Sequence, residues 1–349
     1  MSFRRPGSAT RFLAAAAVAA GLAACGSASA TTSSTTVPST RVATSSSVPP
    51  GTTLRIGDQL NYLKTVLSIS GQDTNFPYQV QYSQFVGGPP MLQAFQGGAL
   101  DLGFVGSTPL IFAQAAGQPL TAVAAWSTKE SGYTLVTAPG TTSVTGWGSL
   151  KGKRVAYQVG TAAEAVLLEG LSSVGLTLKD VTTVNLPVNQ TAAALQGHSA
   201  DAALSVEPLT SVYLATNPSA RQVARVSQVT DRTDFVLTDS AALSNRATSA
   251  ALADYLRRLV TAFGYLRAHP QAITQAVYVD QYHLSPARAA VVSAQIGAAS
   301  FVPLPGDIVP AQQHLADLFR AAGQIPNKID VASEFDPRFN ALVSAAQGA

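Results

Sequence analysis

A single cysteine, Cys25, two tryptophans and four histidines are spread over 349 residues, and charged side chains make up only 12% of the chain. With no cysteine after position 25, the rest of the protein cannot form a disulfide or a thiolate metal site. Its stability must come from an apolar core, which about 290 residues can supply. His198, His269, His283 and His314 lack metal-ligand spacing, and each reads as a surface or capping residue. There is no Gly-x-Ser-x-Gly elbow, because Gly103, Gly106 and Ser107 have the wrong spacing. The stretch from Gly148 to Arg154 resembles a phosphate loop but lacks the four-residue spacer and the hydroxyl residue after Gly152-Lys153. No pair of carboxylates is fixed by local spacing in a cleft motif. Catalytic residues, cofactor and metal are therefore expected to be absent.

The first 25 residues have a different character. Arg4, Arg5 and Arg11 precede an apolar run over 12–24, too short for the roughly 20 residues that span a bilayer and laid out like a secretory signal. Leu22-Ala23-Ala24-Cys25 resembles the bacterial lipoprotein processing site, which implies a signal peptide over 1–25 and acylation of Cys25 as the new N-terminus. The alternative is ordinary cleavage at Ala28 or Ala30. Acyl chains would anchor the protein to a membrane surface without a transmembrane helix. Residues 26–53 are almost entirely Ser, Thr, Ala, Pro and Gly, a composition that cannot bury a core and predicts a disordered tether. Its reach is roughly 30 Å. The formal charge of +3 also belongs to the leader: without Arg4, Arg5 and Arg11 the balance is 19 basic against 19 acidic side chains, so nucleic-acid binding has no electrostatic support.

The stretch 85–117, FVGGPPMLQAFQGGALDLGFVGSTPLIFAQAAG, carries most of the information. Gly87 and Gly88 open a helix with Pro89 and Pro90 at its first positions, and Met91, Leu92 and Phe95 recur at helical spacing. Gly97 and Gly98 end it, residues 101–105 form a short buried strand, and Gly106, Ser107, Thr108 and Pro109 start the next helix. Helix N-termini at strand C-terminal ends are where an open α/β sheet binds a small anion. Phe85, the Gly87-Gly88-Pro89 loop, Gly98 to Gly103 with Asp101, the Gly106-to-Pro109 turn and Gln114-Ala115-Ala116-Gly117 together resemble the alkanesulfonate, taurine and nitrate group of periplasmic binding proteins, which serve ABC importers. The tail over 302–331 is similar to that family's C-terminus, so the resemblance covers most of the chain.

Short apolar strands alternate with amphipathic helices from Leu54 onward, which favours α/β layers with mostly parallel sheets. The resemblance implies a two-lobed periplasmic-binding-protein fold of type II, with 54–137 and 235–349 as lobe one, 138–234 as lobe two, and two hinge strands beside an interlobe cleft. No internal sequence repeat is evident. After residue 245 the chain reads as mostly helical, with Leu252, Tyr255, Leu256, Leu259 and Phe263 on one face and Pro270, Pro286 and Pro310 at helix starts.

Candidate ligand contacts come from strand ends. Gln59 and Asn61 offer amide donors or an ordinary helix cap. Gly87 and Gly88 permit close backbone approach. Ser107 and Thr108 suit a sulfonate, sulfate or carboxylate, with a structural N-cap as the alternative for Ser107. The resemblance adds Gly160 and Thr161 at the first long helix of lobe two, and Glu207 in an acidic-Pro turn. Here Val206 and Ala203 replace two family tryptophans, removing large apolar faces. Trp126 is either a substitute aromatic wall or a packing residue, and Lys129 and Glu130 face either cleft or solvent. The expected protein is an extracytoplasmic, monomeric solute-binding lipoprotein, tethered to the membrane, that hands a small organosulfonate or related anion to an ABC permease and ATPase. A pyrimidine, nitrate or other small solute, or a sensory role, is the alternative.

Overall fold

The computed structural model describes residues 47–224 and 232–348. Lobe one begins with β1 (Thr53–Gln59), α1 (Tyr62–Ile69), β2 (Gln79–Phe85), α2 (Gly88–Gln96), β3 (Leu102–Gly106), α3 (Ser107–Ala115) and β4 (Leu120–Ser127). Lobe two follows with β5 (Tyr133–Thr137), β6 (Arg154–Tyr157), α4 (Ala162–Ser172), β7 (Thr182–Asn185), α5 (Thr191–Gln196), β8 (Ala202–Val206), α6 (Leu209–Thr216) and β9 (Gln222–Ala224). The chain returns through β10 (Thr233–Asp239), α7 (Ser240–Ser244), α8 (Arg246–Ala268), α9 (Pro270–Ile273), a π-helix (Thr274–Gln281), α10 (Pro286–Ile296), β11 (Ser300–Val302), α11 (Ile308–Ala321) and α12 (Asn340–Gln347). Pro270 and Pro286 open their helices as the sequence predicts, whereas Pro310 is the third residue of α11.

Two mixed sheets organise the lobes, in the orders β11-β4-β10-β3-β1-β2 and β7-β6-β8-β5-β9. Only β1, β2 and β3 in one sheet, and β6, β7 and β8 in the other, run parallel; the remaining pairings are antiparallel, so the expectation of mostly parallel sheets is corrected. The reason is β10, which re-enters between β3 and β4 against both of them. The expected boundary at 137 also moves. Strand β5 pairs with β8 from Tyr133↔Val206 onward, so the chain leaves the first sheet over residues 128–132. The Thr128 N–H donates to the Arg232 carbonyl at 3.1 Å, which ties the outgoing segment to the returning one. Residue 53 is likewise the first of β1, and Val48 packs on the lobe-one core, because an apolar side chain within reach of that core does not stay in water. The proposed leader and Cys25 lie outside the described residues.

The amphipathic spacings read from sequence lead into one core. Leu63, Val66 and Leu67 of α1 and Leu252, Tyr255, Leu256, Leu259 and Phe263 of α8 are all buried in it. A repeat that the sequence conceals also appears. Arg55 on β1 donates its N–H to the Asp101 carboxylate at 2.8 Å, while the Asp101 N–H donates back to the Arg55 carbonyl at 2.8 Å. Arg154 on β6 and Asp201 repeat the reciprocal pair at the same distances. Residues 96–101 (QGGALD) and 196–201 (QGHSAD) precede the equivalent strands, and Gly98 and His198 take the same left-handed turn, with φ of 66° and 53°. His198 is thus a turn residue. Only the short turn signature survives in the sequence, since the side chains between are free to drift once the backbone register is held.

Beneath α3, Glu334 is buried and its carboxyl is pushed up to about 8 by desolvation, against one stabilising hydrogen bond from Gln312 Nε2 at 3.3 Å. An unfolded glutamate titrates near 4.5. Between these values the folded chain holds a proton that the unfolded chain has lost, so this group's contribution falls as pH rises. Glu334→Gln is expected to raise the melting temperature at pH 8 and to change it much less at pH 4.5; an equal shift at both pH values would remove this assignment.

Candidate functional site

A cavity of about 330 Å³ lies between the lobes. Lobe one contributes Gln59, Tyr62, Gly87, Gly88, Phe104, Gly106 and Asp234, and lobe two contributes Tyr133, Gln158, Thr161, Val206 and Glu207. The π-helix adds Val277, Tyr278 and Gln281 from above. The N-terminal ends of four helices border this space: α2 at Gly88, α3 at Gly106 and Pro109, α4 at Thr161 and Ala162, and α6 at Pro208. Each end presents the positive pole of its peptide dipoles, worth about 0.3–1 kcal/mol toward an anion and up to ~2 kcal/mol where partly buried.

The cleft predicted from strand ends is therefore present, but several of the side chains assigned to it do other work. Gln59 lines it, with Nε2 donating to the Phe104 carbonyl at 2.7 Å. Asn61 is exposed and outside the lining; it takes a left-handed φ of 61°, and its N–H donates to Gln84 Oε1 at 2.9 Å. The cap of α1 is instead the buried Asp58, whose carboxylate accepts from the N–H groups of Leu63 and Lys64 at 2.9 and 3.1 Å. Gly88 and Gly87 do allow close approach, but by protein. A Cβ on Gly88 would stand 2.4 Å from the Pro109 ring, and one on Gly87 would stand 3.0 Å from Gln158 Nε2.

Ser107 and Thr108 are buried behind the lining, where the Ser107 hydroxyl donates to the Thr233 carbonyl at 3.4 Å. Neither is part of the cavity lining, which the α3 end meets through Gly106 and Pro109. Trp126 is 1% exposed and packs in lobe one against Phe104, Phe263 and Phe301, with ring centroids 5.1–5.6 Å apart. The packing alternative holds, and within this ring cluster it is Phe104 that reaches the cleft. Gly160 faces Pro89 rather than the lining, and its N–H donates to Glu164 Oε2 at 2.7 Å. Thr161 does line the cleft, yet its hydroxyl donates to the Gln158 carbonyl at 2.7 Å and accepts from the Ala163 N–H at 3.3 Å, as an N-cap does. Glu207 lines the cleft beside lobe one's Arg288: Oε2 accepts from the Ser211 hydroxyl at 2.6 Å, and Oε1 lies 3.3 Å from Arg288 Nη2. Lys129 and Glu130 are exposed on the outgoing segment, outside the lining, which settles them on the solvent side.

Sequence reasoning missed Tyr62, Tyr133, Gln158, Arg232, Asp234 and Tyr278. Arg232 and Asp234 flank the start of the return strand, so a strand-end search of β10 would have found them. The π-helix has no comparable signal. Gln158 bridges the lobes, with Nε2 donating to the Val86 carbonyl at 3.3 Å and Oε1 accepting from the Val188 N–H at 3.2 Å. Burial raises the Tyr62 phenol well above its usual value, and burial with the Glu207 charge pushes Tyr278 up to about 12, so both remain protonated donors at neutral pH.

The profile of the family described as NMT1/THI5 like matches residues 80–273. The chain belongs to this family. Its members with sulfonate-binding names include a putative aliphatic sulfonates-binding protein of Escherichia coli K12, 28% identical over 284 residues, covering 80% of this chain and 86% of that one. The alkanesulfonate-binding protein SsuA from Xanthomonas axonopodis pv. citri, solved with MOPS bound, is 30% identical with a TM-score of 0.72, covering 82% of this chain and 99% of that one. The periplasmic aliphatic sulphonate binding protein SsuA from Escherichia coli is 27% identical with a TM-score of 0.66, covering 82% and 92%. This NMT1/THI5-like chain is thus a solute-binding protein by family, with the two-lobed fold of periplasmic binding proteins.

Two substitutions separate structural from ligand roles. Thr161→Ala is expected to cost about 1 kcal/mol in urea unfolding through the lost N-cap. Gly88→Ala is expected to cost about 1–3 kcal/mol as overpacking against Pro109. Unchanged unfolding midpoints would contradict those assignments.

Proposed function

We propose that this protein is the extracytoplasmic binding component of an ABC importer and captures a small organosulfonate or related organic anion. The observation that carries the reading is the convergence of four helix N-termini on an interlobe cleft with aromatic walls. Fold alone decides nothing about activity, so the argument rests on this chemistry. A sulfonate head is singly charged and presents three acceptors, which suits helix ends, the phenols of Tyr62 and Tyr278, and the Arg232 guanidinium at the mouth. The negative charge of Glu207 is matched locally by Arg288 and Ser211, and Asp234 is engaged in contacts of its own. The organic part of the ligand leaves the head group along the aromatic walls of the cleft, Phe104 and the rings of Tyr62 and Tyr278 among them. In this proposal Cys25 carries the acyl anchor, the Ser/Thr/Pro-rich stretch between it and β1 is the tether, and the permease accepts the loaded protein.

The carboxylates on the cleft wall support a second reading, a ligand with N–H donors such as an aminopyrimidine. A thermal-shift panel of sulfonates, sulfate esters, nitrate, carboxylates and pyrimidines separates the two. A ligand at 100 times its Kd adds about 2.7 kcal/mol of stability. Sulfonates are expected to raise the melting temperature most; a response to pyrimidines alone would replace the first reading with the second. Arg232→Ala is expected to weaken sulfonate binding about three- to tenfold, more at low salt than at high, as an exposed cation does. An affinity independent of Arg232 at every salt concentration would take this residue out of the site.

A further inference from the structure

A second cavity, of about 410 Å³, adjoins the cleft between α8, α9, the π-helix and α10. Tyr62, Thr128, Val277, Tyr278 and Ile296 border both spaces. Among the described residues no lysine, arginine, aspartate or glutamate borders the second one, so it is unsuited to the charged end of a ligand. Its hydroxyls are already satisfied where they meet: Thr274 Oγ1 donates to Ser293 Oγ at 2.7 Å. On α10, Ala290 and Ala294 are one turn apart and keep that wall low. An open chamber with these walls leaves apolar surface in water, a standing cost that an apolar occupant removes. The wall shared with the cleft is the π-helix, a wider coil that recurs at functional sites in place of the regular helix.

We propose that the natural ligand is an organic anion with an extended apolar tail, whose head lies in the interlobe cleft and whose tail passes between Tyr62 and Tyr278 into this second chamber. The head-group chemistry rests on the reading above; the chamber and its shared wall stand on their own geometry. The ligand class narrows accordingly from short, polar sulfonates to long-chain alkyl or aryl ones. Selectivity then follows from length: a short anion fills only the cleft and leaves the chamber wet, while a long one buries both ends.

Calorimetric titration of the purified protein with linear sulfonates from ethyl to octyl, and with carboxylates and primary amides of the same chain lengths, tests this. Affinity for the head group that binds is expected to rise about three- to fourfold per methylene once the tail reaches the chamber. Ala294→Trp is expected to flatten that rise. If affinity is flat or falls with length for every head group, or if no compound binds, the tail chamber is wrong. If sulfonates fail while carboxylates or amides bind and gain with length, the chamber stands and the sulfonate reading falls. A rise that survives Ala294→Trp in a folded variant, judged by an unchanged unliganded melting curve, also overturns the assignment, because the tail then lies elsewhere.

Discussion

The cleft depends on an apolar seam that joins the lobes. Ile111 of α3, Ala165 and Leu168 of α4, and Leu315 and Phe319 of α11 bury one another, although α4 packs on the second sheet and α3 on the first. Side chains of this size gain about 1.5–3 kcal/mol each on full burial, so the seam outweighs any single polar contact between the lobes. It holds α3 and α4 side by side with their N-terminal ends on the same space. Elsewhere the lobes meet through Gln158 with Val86, and through Arg288 with Glu207 and Ser211. Relative motion that keeps the seam closed breaks these polar contacts, which water replaces at small net cost. The physical asymmetry between an apolar seam and polar contacts is what a hinged container needs.

The polar groups of the cleft divide by what already satisfies them. Thr161 and Gln59 spend their donors on backbone carbonyls, so they shape the wall. Tyr62 and Tyr278, held well above the usual phenol range by burial, stay uncharged donors across the physiological range. Anion selectivity would come from geometry and desolvation, because an incorrect head group leaves buried donors unpaired.

Much of this was legible in residue order, and the limits have physical causes. The helix faces of α1 and α8 follow from 3.6-residue spacing, and each apolar position named there is buried. The stretch 85–117 announced its loop, helix, strand and helix because Gly and Pro act locally. Its chemistry was harder to read. Ser107 and Thr108 stand beside the cleft in sequence, but both are buried behind it, and Gly106 and Pro109 are the residues of this turn that line it. The true cap of α1 lies at Asp58, ahead of two left-handed residues, Leu60 and Asn61, which no spacing rule anticipates. The sheet assignment of β5 depends on pairing with β8, about seventy residues away, and such register is set by tertiary packing.

Position 206 lies at a tightly packed part of the cleft wall. Val206 and Tyr133 are directly opposed in the β5–β8 register, and a Cβ on the adjacent Gly132 would already stand 3.2 Å from a Val206 methyl. A tryptophan at 206 would need the space that the 128–132 segment and Tyr133 now occupy. Ala203 is fully buried in the small core beneath α5 and α6, with Tyr213 in the same cluster, so a large side chain there has no room either. The aromatic surface of the cleft comes from Tyr62, Phe104 and Tyr133 and from Tyr278 and Tyr282 at the π-helix. The π-helix supplies Tyr278 to the cleft, and it is the element whose other side opens onto the second chamber.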